Sequence, residues 1–342
     1  MGPWHTMRGL TRTGLLLFLM VLFTGGCSQG PAGPLAPGAS PALRGEVLPG
    51  RLLFVRQGVV WLWRGREAAP LLGDGAAFQP AWDPAGERIA YVVRENSFSD
   101  VMLADGAGQS LGRLTSNGSE APPNSFMRVS ESRWAFYPAW SPDGLRVAVA
   151  MQTRPPVGDP LADAPLELML LPVGAGAPLS AYGDSEASVG RSVFLADGTA
   201  LIFTRAGTGP TGRQKLYLLD LVSGRAGALA GAPEGSYDPA LTPDGRWLVF
   251  AASQEGRTDL FALPASGGVP VRLTEQGTAR APALSPDGRL LAFLAITPGE
   301  SGFDLWLATI SEEAGGVLTV GQPRRLTTGL GIDADSGLTW AP

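Results

Sequence analysis

A short phrase of alternating polar and apolar residues recurs along the chain. Its good copies run from Pro80 to Gly86, Pro138 to Gly144, Pro239 to Gly245 and Pro282 to Gly288. A degenerate copy covers residues 194–198. Most copies end in Pro-Asp-Gly, where proline presets the first turn residue and glycine takes the position of positive φ. The phrase therefore predicts a strand followed by a tight turn.

Apolar segments follow each turn and predict second strands at residues 88–92, 146–150, 200–204, 246–251 and 290–294. Third strands begin with a polar residue and then alternate, starting at Asp100, Glu167, Lys215, Asp259 and Asp304. Fourth strands end in Arg-Leu-Thr at residues 113–115, 272–274 and 325–327. Four short antiparallel strands that repeat about every fifty residues are typical of a propeller blade.

The two ends of the chain complete the count of blades. Residues 51–72 predict the second, third and fourth strands of a blade that has no preceding first strand, and residues 338–342 resemble that missing strand. Pairing the two ends removes an open sheet edge. The predicted fold is all-β, a six-bladed β-propeller of four-stranded antiparallel blades closed by the C-terminal strand.

The repeat resembles that of the TolB propeller family, whose phrase Pro-x-Trp-Ser-Pro-Asp-Gly is matched in full by residues 138–144. The family's strand and Arg-Leu-Thr ending follow in several copies, and the resemblance covers about residues 45–342. It implies a TolB-like, WD-repeat-like propeller. TolB also has an N-terminal α/β domain, which we do not expect here.

The N-terminus has the order of a secretory signal peptide: Arg8 and Arg12, an apolar run over residues 15–23, and small residues before Cys27. The run is about half the length that a membrane-spanning helix needs. The segment resembles the lipobox of bacterial lipoproteins, whose cysteine is acylated, although Thr24 stands where leucine is usual. Ordinary cleavage that leaves Cys27 as a free thiol is the alternative.

We therefore predict a lipoprotein signal peptide at residues 1–26, a flexible Gly/Pro-rich tether at 27–44 and the propeller at 45–342. The protein would be exported and lipid-anchored to the cell membrane or outer membrane, facing the periplasm or the exterior. The lipid would be its sole contact with the membrane.

Composition restricts the chemistry. The net charge of −5 lacks the basic footprint of a nucleic-acid-binding protein. The single histidine, His5, lies in the predicted signal peptide, which excludes Ser-His-Asp and Cys-His catalysis and most zinc sites from the mature chain. Carboxylate-based hydrolysis, or a calcium-assisted lyase that uses Arg or Tyr, remains open. No other cofactor is predicted.

Several repeated residues fit structural roles better than ligand binding. Asp143, Asp244 and Asp287 belong to the predicted turns and need no metal. The tryptophans of the first strands are expected to pack between blades; they are Trp82, Trp140 and Trp340. Ion pairs are predicted within blades, each worth about 0–1 kcal/mol if exposed. The pairs are Asp100–Arg113, Asp259–Arg272 and Asp304–Arg325.

Strand alternation places the second-to-third and fourth-to-first connections on one face, which we call the long-loop face. Its insertions are residues 116–136, 153–165, 206–213, 297–302 and 329–335. A ring of residues is predicted to enter the first strands there, at the mouth of the central channel: Gln79, Tyr137, Arg191, Asp238, Arg280 and Asp335. The longest loop adds Phe126, Arg128, Trp134 and Phe136. Such a surface suits a peptide or a small polar ligand, although similar rings often hold only water.

These features predict a cell-envelope lipoprotein that acts as a binding scaffold for a protein, a peptide or a glycan through the long-loop face. The alternative is an envelope hydrolase or lyase that uses Asp238, Asp335 or Glu234, with or without calcium. A purely structural assembly module is a third hypothesis.

Overall fold

The computed structural model describes residues 43–156, 164–208, 212–313 and 316–342. The predicted signal peptide, Cys27 and nearly all of the tether lie outside these ranges, as do parts of two predicted insertions. Within the described ranges, no helix is long and apolar enough to cross a membrane.

The described chain consists of twenty-four strands and one short helix. In chain order these are β1 (Leu43–Arg56), β2 (Val59–Leu72), β3 (Ala77–Trp82), β4 (Arg88–Arg94), β5 (Ser99–Asp105), β6 (Ser110–Arg113), α1 (Phe126–Glu131), β7 (Ala135–Trp140), β8 (Arg146–Met151), β9 (Glu167–Pro172), β10 (Leu179–Tyr182), β11 (Ala187–Phe194), β12 (Ala200–Gly207), β13 (Gln214–Asp220), β14 (Ala226–Ala228), β15 (Ser236–Leu241), β16 (Trp247–Gln254), β17 (Arg257–Pro264), β18 (Val271–Arg272), β19 (Arg280–Leu284), β20 (Leu290–Ala295), β21 (Asp304–Glu312), β22 (Leu318–Val320), β23 (Arg324–Arg325) and β24 (Thr339–Ala341).

The strands form six antiparallel sheets, which are the blades. Blade 1 has the order β2-β1-β24, and blades 2 to 5 contain β3–β6, β7–β10, β11–β14 and β15–β18. In blade 6, both β22 and β23 pair with β21. Blades 2 to 5 thus have the predicted four strands, whereas β2 runs on to Leu72 without forming a separate fourth strand in blade 1.

The C-terminal strand closes the propeller, as the sequence predicts. β24 pairs with β1, so Trp340 lies opposite Leu52 and Ala341 opposite Arg51. The Trp340 indole N–H donates to the carbonyl of Pro49 at 2.7 Å. The first blade therefore combines both ends of the described chain, and β24 pairs the edge of β1 that would otherwise be open.

The tryptophans of the first strands pack between blades, which confirms their predicted role. Trp140 of blade 3 is 8% exposed and lies in one apolar cluster with Ala90 and Val101 of blade 2. Its indole N–H donates to the carbonyl of Ala81 at 3.0 Å. Arg88 of blade 2 lies 4.6 Å from the centroid of the same ring, a cation–π contact. A tryptophan of this kind therefore stabilises the packing of one blade against its neighbour.

The turn aspartates are occupied by hydrogen bonds within their own turns. Asp143 Oδ1 accepts from the Ser141 hydroxyl and from the backbone N–H of Leu145, at 2.5 and 2.9 Å. Asp244 and Asp287 accept the equivalent bonds from their own turns. Their recurrence follows from turn geometry and needs no ligand.

The turn at Asp244 is expected to lose part of its stability in acid. The Thr242 hydroxyl and Arg246 outweigh the effect of burial and lower the pKa of Asp244 to about 2. A lowered folded-state pKa stabilises the protein above the unfolded pKa, and this contribution is lost as the pH falls through the folded pKa. In urea unfolding, the destabilisation caused by Asp244→Ala should therefore shrink between about pH 4 and about pH 2. An undiminished difference at the acid end would contradict this account.

Candidate functional site

The first strand of each of blades 2 to 6 contains a β-bulge near its start. The pairing register shifts at the residue before the proline that begins the repeated phrase, or at its counterpart in blade 4. Four residues at this position have positive φ although they carry side chains: Gln79 (51°), Tyr137 (55°), Asp238 (52°) and Ala281 (53°). Such backbone is uncommon outside glycine. A bulge re-aims the side chain that it carries, so these positions face the channel differently from the rest of the strand.

Four members of the predicted ring occupy the bulge position, and the other two lie just before it. Gln79, Tyr137, Arg191 and Asp238 occupy the equivalent position, but in blades 6 and 1 that position belongs to Ala281 and Gly337, not to Arg280 and Asp335. Alanine and glycine offer no functional group there. The side chains of Arg280 and Asp335 nevertheless reach the same cavity from one and two residues earlier in the chain.

Arg191, Asp238 and Arg280 form what we call the central cluster. Asp238 is 5% exposed, and its Oδ1 accepts from Arg191 Nε at 3.2 Å. Its Oδ2 accepts from Arg280 Nε at 3.1 Å and from the backbone N–H of Ala281 at 3.2 Å. One buried carboxylate therefore joins two arginines from neighbouring sides of the channel.

Asp335, from the loop before β24, adds a second carboxylate beside the central cluster. Its Oδ1 accepts from Arg280 Nη1 at 2.8 Å, and its backbone carbonyl accepts from Arg191 Nη2 at 2.9 Å. Unlike Asp238, the side chain of Asp335 is 74% exposed. The two carboxylates thus differ sharply in how firmly they are held.

Each arginine of the central cluster also lies over a tyrosine ring. Arg191 lies 5.2 Å from the centroid of Tyr137, and Arg280 lies 5.2 Å from that of Tyr237. Burial raises the pKa of both tyrosines, so both phenols are neutral at physiological pH. Burial alone would lower the pKa of Arg280, but Asp238, Tyr237 and Asp335 raise it. Arg280 therefore keeps its positive charge at the site.

A cavity of about 380 Å³ lies over the central cluster. Its lining is Tyr137, Gly190, Arg191, Thr204, Gln214, Tyr237, Asp238, Ser253, Arg280 and Asp335. These residues lie at the ends of first, second and third strands on the long-loop face, and in the loop that precedes β24. A second space, of about 330 Å³, runs among the first strands of all six blades and shares Arg191 and Asp238 with the first. The central cluster therefore separates the channel from its mouth.

Of the predicted ring, five members line this cavity and Gln79 does not. Gln79 is 8% exposed, and its Oε1 accepts from the backbone N–H of Tyr137 at 2.8 Å. This bond joins blade 2 to Tyr137 of the ring. Sequence reasoning missed Tyr237, Thr204, Gln214 and Ser253. For Tyr237 a signal existed, because it directly precedes Asp238.

The predicted residues of the longest loop divide into two groups. Trp134 and Phe136 stack at 5.8 Å with an interplanar angle of 9°, and Phe136 meets Tyr137 at 6.1 Å. They form an aromatic row that leads to the cavity. Phe126 and Arg128 lie on α1 and line a separate groove of about 510 Å³. The Ser125 hydroxyl accepts from the Arg128 N–H and caps the start of α1.

The predicted ion pairs within blades 2, 5 and 6 are present, but their carboxylates are buried. Asp100, Asp259 and Asp304 are 4%, 2% and 2% exposed. In each blade the aspartate accepts from the threonine of the Arg-Leu-Thr ending and from backbone N–H groups of the following turn. The small stabilisation expected of an exposed ion pair therefore does not apply to these three pairs. Their predicted structural role within the blades is unaffected.

No protein-family profile matches the chain. Residues of this chain are 26% identical, over 183 positions, to the uncharacterized peptidase YuxL of Bacillus subtilis strain 168. That match covers 53% of this chain and 22% of YuxL, so the chain spans far less than the whole relative.

Solved structures of other proteins share the fold. TolB from Acinetobacter baumannii superposes with a TM-score of 0.51 at 16% identity, covering 86% of this chain and 82% of that chain. The putative TolB from Agrobacterium tumefaciens gives 0.53 at 16% identity, covering 85% and 97%. A chain of the nidogen–laminin complex gives 0.55 at 12% identity, covering 85% and 98%. In fold, the described part of this chain is a TolB-type six-bladed β-propeller.

Proposed function

We propose that this propeller is a binding scaffold that holds a protein partner through its long-loop face. The observation that carries the proposal is the cavity over the central cluster, which combines two charged arginines with tyrosine walls and opens on that face. Arginine and tyrosine are among the residues most enriched at energetically important interface positions. The predicted export signal and Cys27 support a partner in the cell envelope and a lipid anchor.

The surroundings of the cavity favour a protein over a glycan. On the same face, Phe126, Met127 and Val129 of α1 are 64%, 54% and 51% exposed, and no residue of α1 is buried. Exposed apolar residues grouped in this way mark contacts with proteins or membranes. With Trp134 and Phe136, they supply aromatic and apolar residues of the kind in which protein interfaces are enriched.

The geometry favours binding over carboxylate catalysis. Both oxygens of Asp238 accept from arginines, and Asp335 Oδ1 accepts from Arg280, so these groups are engaged as ion-pair partners. Glu234 accepts from Lys215 Nζ at 2.9 Å and does not line the cavity. A calcium ion would need about six to eight oxygen ligands, whereas Asp238 faces guanidinium donors.

Removal of the aromatic row is expected to release the partner. Photo-crosslinking from position 127 of the full chain, in intact envelopes, should yield a defined protein adduct, because Met127 is 54% exposed on the same face. Trp134→Ala should lower its yield at least about tenfold, the loss of one interface hot spot. Val222→Ala serves as a matched control, since Val222 is 85% exposed on the opposite face. An adduct that persists in Trp134→Ala, or that is lost equally in Val222→Ala, would contradict the assignment of the face.

A further inference from the structure

We propose that the partner presents a peptide carboxylate to this cavity, where it takes the place of Asp335 on Arg280. The inference rests on the proposed function and names the chemistry of the group that is bound. Asp335 would occupy the position in the free protein and leave it when the partner binds.

Both arginines have N–H groups that make no hydrogen bond to the described residues. A guanidinium group carries five N–H donors. Among the described residues, Arg191 uses Nε for Asp238 and Nη2 for the carbonyl of Asp335, while Arg280 uses Nε for Asp238 and Nη1 for the carboxylate of Asp335. Each arginine therefore has three further N–H donors that make no hydrogen bond to the described residues, and both side chains line the cavity. Two adjacent guanidinium groups with open donors are suited to a bidentate carboxylate.

The charge of the site changes with the position of Asp335. The single buried carboxylate of Asp238 serves two arginines, which leaves one positive charge for a second anion. Asp335 supplies that anion through one contact, from a side chain that is 74% exposed. An exposed ion pair is worth little in water. A ligand carboxylate that enters with other contacts can therefore displace it at small cost.

The cavity is also lined by a buried hydroxyl group that lacks a hydrogen bond within the described residues. The Thr204 side chain lines the cavity at 3% exposure, and its Oγ1 has no hydrogen-bond partner among the described residues. Leaving a buried hydroxyl unpaired is unfavourable. Gln214 and Ser253 add amide and hydroxyl groups to the same lining. Together these residues can bond the amides that flank a carboxylate in a peptide.

Affinity selection on the full chain tests the inference. The probes are two pools of N-acetylated, C-amidated hexapeptides that differ at one fixed position, Glu in the first and Gln in the second. A third pool carries the Gln peptides with a free C-terminal carboxylate, and glucuronate serves as a competitor. Retention is measured by mass spectrometry. The Glu pool, the free-acid pool or both should be retained at least about tenfold over the amidated Gln pool, the difference expected for a paired charge.

The decisive variant is Asp335→Asn, which removes the internal competitor from an exposed position and should not affect folding. It should raise retention of the carboxylate pools about threefold to tenfold, which a merely structural Asp335 would not do. Arg280→Gln should abolish the preference. Glu87→Gln and Arg289→Gln change exposed residues on the opposite face and should alter nothing.

The inference fails if Asp335→Asn leaves retention unchanged or lowers it, or if all pools are retained equally. Glucuronate that competes while no peptide is retained would overturn the assignment to a peptide. Equal retention of all pools that is lost in Trp134→Ala would overturn the carboxylate and leave the proposed function standing.

Discussion

Asp304→Ala is expected to lower the free energy of unfolding by about 3–5 kcal/mol, the range for breaking a buried, hydrogen-bonded charge. Asp304 is 2% exposed and accepts from the Thr327 hydroxyl, Arg325 Nη2 and the backbone N–H groups of Gly329 and Leu330. Alanine would leave two backbone donors and a guanidinium group without this acceptor at the junction of blade 6 with the closing strand. Urea unfolding followed by tryptophan fluorescence measures the loss.

The same site should contribute to acid sensitivity. Burial by itself raises the pKa of Asp304, but the bonds from Leu330, Arg325 and Thr327 outweigh it and hold that pKa below its usual value. The stabilisation is therefore complete above the unfolded pKa and is lost as the pH falls through the folded one. Below about pH 4 the gap between the wild type and Asp304→Ala should narrow.

Glu300→Gln provides the matched control for Asp304→Ala. Glu300 pairs with the same Arg325, but its side chain is 41% exposed. Removing its charge should change the free energy of unfolding by less than about 1 kcal/mol, as for other exposed pairs. Equal costs for the two variants would show that the pairing to Arg325, not the buried hydrogen-bond network, stabilises this blade.

Asp238→Ala is expected to cost about 2–4 kcal/mol, somewhat less than a fully buried pair because its arginines retain partial contact with water. The substitution leaves Arg191 and Arg280, with side chains 19% and 22% exposed, facing each other across the channel mouth. A second change, Arg280→Gln, should recover part of the loss by removing the repulsion. A double-mutant cycle of unfolding free energies measures this coupling.

Asp335→Ala is the comparison for Asp238→Ala, because it removes the other carboxylate of the same site from an exposed position. Its expected cost is below about 1 kcal/mol. An equally small loss of unfolding free energy in Asp238→Ala would mean that Arg191 and Arg280 can turn to solvent when the Asp238 carboxylate is absent. It would contradict the view that Asp238 fixes both arginines beneath the cavity.

The candidate site could be predicted only in part. The bulge positions Tyr137, Arg191 and Asp238 follow from counting back along the repeated phrase. In blades 6 and 1 the same count arrives at Ala281 and Gly337, so Arg280 and Asp335 belong to the site through side-chain reach. Phe126 lies near Trp134 in sequence, yet α1 directs it to another groove. The path of a long loop depends on contacts that its own residue pattern does not specify.

By itself, the sequence determined most of the strands, the short turns, the number of blades and the closing strand. These follow from alternation over a few residues and from turn chemistry such as Pro-Asp-Gly, which act locally and repeat along the chain. Only the tertiary structure decided which carboxylates are buried and which groups share the cavity. Arg191 and Asp335 are separated by 144 residues and meet across the channel. Their contact depends on how six blades close around one axis, a constraint that no local pattern contains.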